Sequence, residues 1–347
     1  MTLFFFIKLK KYQDINNLLI TSNKGNSWVF RVSSMPKVGG GHVMRCLSIG
    51  RELFRHQPVH FLLCEGGDYW IDRIKYYGMT ASIYKSPVEM KNTNVLIDGY
   101  GFSELEIQDW REQCKYMAFI DDNNSAPNYV DLVISSCMDN ISQKNYKNQI
   151  VLYGNQYALL APEYISSVSH NTEEVTNILV SCGLRDSNNF TSQVLGALSE
   201  CDFKGNVNIA IGSQAPNLQK ILDSINNYNF PVNIVLDSNG LYDLLIQSDI
   251  VIGAGGVSLL ERMALGKPSI TIVAVENQRN QSVWSENSGA TILVDPLEQQ
   301  FQYDLTNAIT ILLKSEERRL EMSNKGMAII DGKGGMRVAR CMALGEC

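Results

Sequence analysis

The stretch DIVIGAGGVSLLERMALGKPSITI, residues 249–272, decides the fold that we expect of this chain. Its opening, DIVIGA, is a short apolar and β-branched run that predicts a buried strand, and the GG that follows predicts a turn. VSLLERMALG then carries apolar residues at helical spacing, and PSITI returns to a strand pattern. Strand, glycine turn, helix and strand in this order form a βαβ unit, whose two strands are parallel.

The same alternation extends outward from this unit over most of the chain. Strands are predicted at WVFRVSS, PVHFLLCEG, TASIYK, NVLIDGYG, YMAFIDDN and YVDLVISSC in the first half, and at NILVSCG, VNIAIG, VNIVLD and ATILVD in the second. Amphipathic helices are predicted between them, such as HVMRCLSIGRELFRH and FTSQVLGALSEC. The pattern predicts an α/β protein of two Rossmann-like, doubly wound domains that face a cleft, with ligands at the carboxyl ends of the strands.

Domain boundaries are expected where this rhythm breaks. Residues 1–27 turn polar after a short apolar start and are predicted to be an N-terminal extension. The first domain is predicted over 28–165 and the second over 173–330, joined by a polar, proline-containing linker within 155–175. Residues 331–347 are predicted to form a C-terminal helix that packs back on the N-terminal domain.

Composition excludes several classes of protein. The 347 residues are 45% hydrophobic and 19% charged, as in a globular chain, and the net charge of -6 argues against a nucleic-acid partner. Eight cysteines without a CxxC pair and four histidines without ligand spacing predict reduced thiols and no metal or other cofactor. No stretch approaches the roughly 18 apolar residues of a membrane span, so we expect no membrane insertion and a cytoplasmic monomer.

A glycine turn between the first strand and the first helix carries one candidate site, GGGHVMR at 39–45. Its glycines let backbone amides approach an anion, and the start of the following helix favours negative charge. His42, at the first helical turn, could take a proton from water or donate to a phosphate oxygen. The alternative is that His42 merely caps the helix; the neighbouring glycines and Arg45 favour the functional interpretation.

The second glycine turn, GAGGVSLLER at 253–262, again leads from a strand into a helix. It offers the backbone amides of four residues to a diphosphate, namely Gly255, Gly256, Val257 and Ser258. Glu261, about one turn into the helix, could bridge the two hydroxyls of a ribose. Equally, it could be a solvated residue that pairs with Arg262 or Lys267.

Polar residues directly after strands form a third group. The carboxylates at strand ends are Asp98, Asp121, Asp122 and Asp186. Each of these aspartates taken alone is explained by the usual role of Asp in stabilising a turn. Several of them converging on one cleft would instead indicate a functional site. Asn277 and Gln278 follow a buried strand and could hydrogen-bond a sugar or a base, or simply close a turn.

Taken together, these motifs resemble a known family. The segments GGGHVMRCLSIGREL, LIDGYG, FIDDN, NQYALLAPEY, GLRDSNNFT, GAGGVSLLER with the later ENQ, and DGKGGMRVAR are similar to the UDP-2,4-diacetamido-2,4,6-trideoxy-β-L-altropyranose hydrolases of pseudaminic acid biosynthesis. The wider group includes a spore-coat polysaccharide protein and, more distantly, the MurG-like glycosyltransferases. The resemblance runs from about residue 28 to about residue 343 and implies the GT-B fold.

The resemblance implies hydrolysis of a UDP-linked deoxy-diacetamido sugar, with inversion at the anomeric carbon and without a metal. His42 corresponds to the family's essential histidine, as general base or water orienter. The candidates for contacting the sugar are Gly40, Gly41, Arg45, Asp98, Tyr100, Asn277 and Gln278. The candidates for holding the nucleotide are Gly255, Gly256, Val257, Ser258 and Glu261.

Two other functions fit the same residues. A GT-B glycosyltransferase would admit an acceptor hydroxyl in place of water, and it would often present a membrane-facing patch, for which MTLFFFIKLKK at the N-terminus is weak support. A non-catalytic nucleotide-sugar-binding protein would bind UDP without turnover. The retained histidine argues against that last interpretation.

Overall fold

The computed structural model describes residues 27–35, 40–85, 92–122, 125–135, 149–165, 174–238 and 240–347. The predicted extension, apart from its last residue, lies outside the described residues, as do Gly39 of the first glycine turn and residues 166–173 of the predicted linker. The chain divides into two compact units. The first unit holds the described residues up to Ser135, residues 149–161 and Gly335–Cys347, and the second unit holds the described residues from Pro162 to Gly334.

The first unit is built on a parallel sheet. Its strands are β1 (Trp28–Val32), β2 (Val59–Leu63), β3 (Thr80–Ile83), β4 (Asn94–Asp98), β5 (Tyr116–Ile120), β6 (Leu132–Ser135) and β7 (Ile150–Tyr153). They lie in the order β3-β2-β1-β4-β5-β6-β7. The helices that follow its strands are α1 (Gly41–Leu53), α2 (Ile71–Tyr76) and α3 (Glu104–Gln113).

The second unit repeats this plan. Its strands are β8 (Asn177–Ser181), β9 (Asn206–Ile211), β10 (Val232–Leu236), β11 (Ile250–Ala254), β12 (Ser269–Ile272) and β13 (Ile292–Val294), in the order β10-β9-β8-β11-β12-β13. Its helices are α4 (Phe190–Glu200), α5 (Leu218–Ser224), α6 (Tyr242–Ile246), α7 (Val257–Ala264), α8 (Arg279–Asn287), α9 (Phe301–Lys314) and α10 (Glu316–Ile329).

Both sheets are doubly wound. In each one the first strand lies inside the sheet, and the chain adds strands first on one side of it and then on the other. The paired strands are parallel throughout the described sheets. This confirms the predicted class of two Rossmann-like domains. In the part of the chain that the structure describes, no helix is long and apolar enough to cross a membrane.

Helices cover both faces of the first sheet, which explains why its strands read as continuous apolar runs. Phe30 and Val32 on β1 point into the core that includes α1. Arg31 points to the other face, where its guanidinium lies over the rings of Tyr84 and Phe102, 4.5 and 4.6 Å from their centroids. The buried arginine is thus accommodated by aromatic faces and by the carbonyl of Leu62, to which it donates at 3.2 Å.

The last helix, α11 (Gly334–Leu344), packs on the first sheet. Val338 and Met342 belong to the same buried core as Trp28 of β1. Gly335 permits the close approach, because a Cβ at this position would lie 2.2 Å from the hydroxyl of Ser48. The end of the chain therefore completes the core of the first unit.

The prediction of reduced thiols is wrong for one pair of cysteines. Cys341 and Cys347 form a disulfide, while the other described cysteines are free: Cys46, Cys64, Cys114, Cys182 and Cys201. The chain turns back after α11 at Gly345, which has a φ of 70° and donates its N–H to the carbonyl of Cys341. This turn brings the two Cα atoms to 4.5 Å, a separation that sequence spacing alone did not indicate.

We expect His60 to make stability depend on pH. Its ring nitrogens lie 2.8 Å from the hydroxyls of Thr80 and of Ser82 on the neighbouring strand, and burial lowers its pKa to about 4. An unfolded histidine has a pKa of about 6.5. Between about pH 6.5 and about pH 4, the unfolded chain therefore binds a proton at His60 that the folded chain does not bind. The free energy of unfolding should therefore fall, by the order of 2 kcal/mol, as the pH decreases from about 6.5 to about 4.

Urea titrations of wild type and His60→Gln across this pH range measure the effect. In His60→Gln, the free energy of unfolding should fall less steeply as the pH decreases. His56→Gln, which replaces an exposed histidine, should follow the wild type. Parallel curves for wild type and His60→Gln would contradict the expectation.

Candidate active site

The first glycine turn and the end of β4 meet where ligands bind in doubly wound sheets. In the first unit the strand order reverses between β1 and β4, which are neighbours in the sheet. The crevice outside the carboxyl ends of such a strand pair is the usual ligand site. His42, at the start of the helix after β1, and Asp98, the last residue of β4, both lie there.

His42 and Asp98 form the centre of the site. His42 Nδ1 lies 2.9 Å from Asp98 Oδ1, and the two side chains are 8% and 0% exposed. Burial raises the pKa of Asp98, but the charge and hydrogen bonds of Arg45, together with His42, outweigh it and lower this pKa to about 2. An ionised carboxylate only accepts hydrogen bonds, so the proton of the imidazole is assigned to Nδ1. His42 Nε2 is then left as the basic nitrogen.

Arg45 ties two carboxylates to this pair. It donates from Nε to Asp98 Oδ2 at 2.7 Å, from Nη2 to Asp98 Oδ1, and from Nη1 to both oxygens of Asp122 at 2.9 and 2.8 Å. Arg45 Nη2 also lies 3.0 Å from His42 Nδ1, but both groups carry protons in this assignment, so we treat that approach as a packing contact. The charges of Asp98 and Asp122 raise the pKa of Arg45 well above its usual range, although burial opposes this.

Tyr100 completes the cluster of His42, Arg45, Asp98 and Asp122. Its ring packs edge-on against His42, with the centroids 5.0 Å apart, and its hydroxyl lies 3.3 Å from Asp122 Oδ2. Burial and the charge on Asp122 raise the pKa of the phenol, which therefore keeps its proton. The cluster thus places one cation and two carboxylates around His42.

Helical spacing explains why α1 can serve this cluster. His42, Arg45 and Cys46 stand at positions i, i+3 and i+4, so all three point to one side of the helix. Cys46, which sequence reasoning did not single out, donates its thiol to Asp98 Oδ2 at 3.3 Å. Burial and the charge on Asp98 raise the pKa of this thiol well above its usual range, so it stays a neutral donor.

The glycines of the first turn have different surroundings. A Cβ on Gly40 would lie 2.8 Å from the ring of Trp70, so this position must stay small for the helix to begin there. A Cβ on Gly41 would meet no described atom within 4 Å, so the start of α1 is open on that side. Gly99, directly after Asp98, has a φ of 139°, and a Cβ there would lie 2.2 Å from that of Ser33. Gly40 and Gly99 are thus required by close packing around the site.

The remaining strand-end carboxylates hold turns. Asp121 accepts from the backbone N–H groups of Ser125 and Ala126, at 2.9 and 2.7 Å. Asp186 accepts from the backbone N–H groups of Phe190 and Thr191 at the start of α4. Turn chemistry therefore accounts for Asp121 and Asp186, whereas Asp98 and Asp122 converge on one cluster.

The second glycine turn lies at the corresponding point of the second sheet, beside the β8 and β11 strand pair. Gly256 precedes α7 with φ 77° and ψ -152°, a conformation essentially confined to glycine. A Cβ on Gly255 would lie 2.6 Å from the hydroxyl of Ser282, so helix α8 leaves no room for a side chain there. Val257 and Ser258 form the first turn of α7. The turn therefore presents bare backbone at a helix start, as an anion site requires.

Glu261 has a hydrogen-bond partner in Tyr164. Burial and its contact with Glu261 raise the pKa of Tyr164, whose phenol hydrogen-bonds the Glu261 side chain. Lys267 instead donates to the carbonyls of Ile246 and Ser248, at 3.2 and 2.9 Å. Glu261 is half-buried and held by a neutral donor, so its carboxylate keeps acceptor capacity. Sequence reasoning missed Tyr164 as its partner.

Asn277 and Gln278 form a short 3₁₀ turn, Glu276–Gln278, after β12. Asn277 is exposed, whereas Gln278 lies against the second glycine turn, with its amide nitrogen 3.2 Å from the place of a Cβ on Gly256. Among the described atoms, Gln278 Oε1 is buried without a hydrogen-bond partner. The structure thus brings Gln278 together with the candidate nucleotide residues of its own unit.

Comparison with known proteins gives a family match within the second unit. The model of the glycosyltransferase family 28 C-terminal domain matches residues 177–333, most of the second unit. The chain is 27% identical over 266 residues to uncharacterized protein MJ1062 of Methanocaldococcus jannaschii, which covers 70% of this chain and 54% of that protein. The chain thus spans about half the length of this relative.

Two further relatives confirm the resemblance seen in the motifs. Spore coat polysaccharide biosynthesis protein SpsG of Bacillus subtilis is 26% identical over 230 residues, which is 65% of this chain and 68% of SpsG. UDP-2,4-diacetamido-2,4,6-trideoxy-beta-L-altropyranose hydrolase of Campylobacter jejuni is 23% identical over 274 residues, which is 75% of this chain and 96% of the hydrolase.

Solved structures confirm the predicted GT-B fold class. MurG of Acinetobacter baumannii superposes with a TM-score of 0.64 at 13% identity and covers 91% of this chain and 99% of its own. A putative UDP-N-acetylglucosamine 2-epimerase of Listeria monocytogenes gives a TM-score of 0.61 at 12% identity, covering 91% and 95%. At these identities the likeness concerns the fold alone.

Proposed function

We propose that this protein hydrolyses the anomeric C–O bond of a UDP-linked deoxy-diacetamido sugar, such as UDP-2,4-diacetamido-2,4,6-trideoxy-β-L-altrose, to UDP and the free sugar. The observation that carries the proposal is the imidazole of His42, oriented by the buried carboxylate of Asp98 beside a glycine turn. The Campylobacter relative is named for the same reaction. The proposal includes a cytoplasmic monomer with a UDP-sugar as its partner and no cofactor.

In the proposed step, His42 Nε2 takes a proton from a water molecule whose oxygen attacks C1 of the sugar. The bond between C1 and the diphosphate oxygen breaks, its electron pair leaves with UDP, and the configuration at C1 inverts. Asp98 stabilises the imidazolium that forms, as the carboxylate does in a histidine–aspartate pair. Arg45 and Tyr100 are also the candidates for contacting the sugar in this unit, whereas the fully buried Asp98, predicted as a sugar contact, would act through His42.

The second unit supplies the proposed nucleotide site. Developing negative charge on the leaving diphosphate is best stabilised by fixed donors, which the bare backbone around Gly255 and Gly256 and the first turn of α7 can provide. Glu261 would accept from the ribose hydroxyls. The family 28 match over the same residues supports a nucleotide-sugar role for this unit.

A glycosyltransferase is the second candidate, and the description of that matching domain favours it. The same base would then take its proton from the hydroxyl of an acceptor, and the same diphosphate would leave. The two reactions differ in what attacks C1, so they are separated by whether turnover needs an acceptor.

The decisive assay is UDP release from UDP-2,4-diacetamido-2,4,6-trideoxy-β-L-altrose by purified protein, with EDTA and without an acceptor. Stoichiometric UDP and free sugar, with the inverted anomer seen first by NMR, is the expected result. Tight UDP binding without release would contradict hydrolysis and favour a transferase, or binding without catalysis.

Glu261→Ala is expected to weaken UDP binding by about tenfold or more, because hydrogen bonds to a charged group are among the stronger ones. Calorimetry with UDP measures the change. Glu276→Ala, which removes a carboxylate paired with Arg279 on the surface, serves as the matched control and should bind UDP as the wild type does. Unchanged UDP affinity in Glu261→Ala would refute the ribose assignment.

A further inference from the structure

A buried arginine lies behind the second glycine turn. Arg262, on α7, is 1% exposed, and its side chain runs back toward the start of the helix. Its Nη2 donates to the carbonyl of Ala254 and to the hydroxyl of Thr271, both at 3.1 Å. A Cβ on Gly253 would lie 3.1 Å from Arg262 Nη1, so the guanidinium is packed directly against the end of β11.

The hydrogen bonds recorded for this guanidinium go to neutral oxygens. Among the described residues, Arg262 Nε and Nη1 are buried without a hydrogen-bond partner. Thr271 is itself held by Thr291, with 2.8 Å between the hydroxyl oxygens, so the arginine is fixed in place. Burial lowers the pKa of Arg262 to about 10, although the charge on Glu261 opposes this.

A buried charge in such a position is costly unless something compensates it. Glu261 on the same helix offsets part of this cost, but its carboxylate is also hydrogen-bonded by Tyr164. The start of α7, toward which the guanidinium reaches, carries positive charge from the helix dipole and adds to the excess. The turn is therefore surrounded by positive potential, which an anion would relieve.

Arg319 shows how a buried arginine is compensated by the end of a helix. It is 3% exposed and donates to the carbonyls of Leu312 and Leu313, at 2.7 and 3.3 Å. Those carbonyls belong to the last turn of α9, the negative end of that helix. Arg319 is thus compensated by the negative end of α9, whereas Arg262 lies beside the positive end of α7.

We propose that Arg262 is a positioning residue for the diphosphate of the bound nucleotide, whose negative charge it balances from behind the Ala254–Gly255 peptide. The inference rests on the proposed function, since it assumes a nucleotide at this turn. The Ala254 carbonyl and the Gly255 N–H belong to one peptide group. Donation to the carbonyl polarises this peptide and makes its N–H a stronger donor to an anion on the other side.

If the inference is right, replacing Arg262 should weaken ligand binding more strongly as the negative charge of the ligand increases. Calorimetry compares uridine, UMP and UDP on the wild type, Arg262→Met and Arg262→Lys. Arg262→Met should bind UDP about ten- to a hundredfold more weakly, with uridine affinity changed less than about twofold. Arg262→Lys, which keeps the charge, should recover most of the UDP affinity. Arg319→Met is the matched control and should retain the wild-type preference for UDP over uridine.

Several outcomes would overturn the inference. Equal losses for uridine and UDP in Arg262→Met would show that the arginine only shapes the turn. Unchanged UDP affinity in Arg262→Met would show that the arginine does not act on the diphosphate. The proposed nucleotide site would still be supported in that case by the preference of the wild type for UDP over uridine. If the wild type itself lacks that preference, the nucleotide site and the inference both fall.

A thermal measurement gives an independent test. Without ligand, Arg262→Met should melt no lower than Arg319→Met, because it removes a buried charge that Glu261 offsets only in part. Saturating UDP should raise its melting temperature less than that of the wild type. If Arg262→Met does not fold, Arg262→Gln, which removes the charge but keeps a polar side chain, takes its place in both experiments, with the same expected losses.

Discussion

His42→Ala is expected to lower turnover of the UDP-linked sugar by about a hundredfold or more while leaving UDP binding and the fold largely intact. The loss follows because the imidazole supplies the basic nitrogen of the cluster, whereas the proposed nucleotide residues belong to the second unit. Alanine leaves the first turn of α1 without strain, since Gly40 and not His42 makes the tight packing contact there. Single-turnover rates and UDP calorimetry on the same preparations measure the two quantities.

His56→Ala is the matched control, since this exposed histidine lies just beyond the end of the same helix. It should turn over as the wild type does. Equal turnover in His42→Ala and wild type would eliminate the catalytic role. A parallel loss of UDP affinity would indicate that His42 binds the diphosphate, the other role that its sequence position allows.

The fold was predictable because its signal is repeated along the chain. Buried parallel strands such as Ile250–Ala254 read as apolar runs that end in glycine turns, and each is followed by an amphipathic helix. Among the described elements, strand β7 and helices α8 and α10 were not predicted. Strand β7 lies at a sheet edge, with Ile150 43% exposed, and helix α10 has charges on most sides. The helix is set by the Ser315 cap and by the burial of Met322, which depend on tertiary context.

The site was predictable in part. Glycine turns mark where helices start beside a ligand crevice, which pointed to His42 and to the Gly255 region. Which strand-end carboxylate faces the crevice could not be read from one sequence, because Asp121 and Asp122 are adjacent and only the strand's pleat separates their directions. Partners such as Tyr164 for Glu261 lie far apart in the chain, and only the folded structure brings them together.

The cleft, the domain assignments and the roles of the site residues stay predictions. The predicted twin sites are nevertheless physically consistent, because each lies at the strand pair where its own sheet reverses order. The same rule applied twice accounts for both glycine turns.

Asp98→Asn is expected to lower turnover by about a thousandfold to ten-thousandfold, since a loss of the upper size is seen when the carboxylate of a histidine–aspartate pair becomes an amide. The carboxylate accepts from His42, Arg45 and Cys46, so its oxygens are committed to orienting the imidazole. An asparagine amide can present its NH₂ group to His42 Nδ1. That donor favours the tautomer with the proton on Nε2, which cannot act as a base.

Asp122→Asn is the comparison that isolates this effect. Asp122 also binds Arg45, but no contact recorded in the described residues joins it to His42, so its loss should cost turnover about tenfold at most. Urea titration controls for stability, because Arg45 in Asp98→Asn keeps Asp122 as a counter-charge and the variant should remain folded. Equal turnover losses in the two variants would show that the cluster acts only as an ionic network. A loss confined to Asp98→Asn would support tautomer selection, since only that variant changes what faces His42 Nδ1.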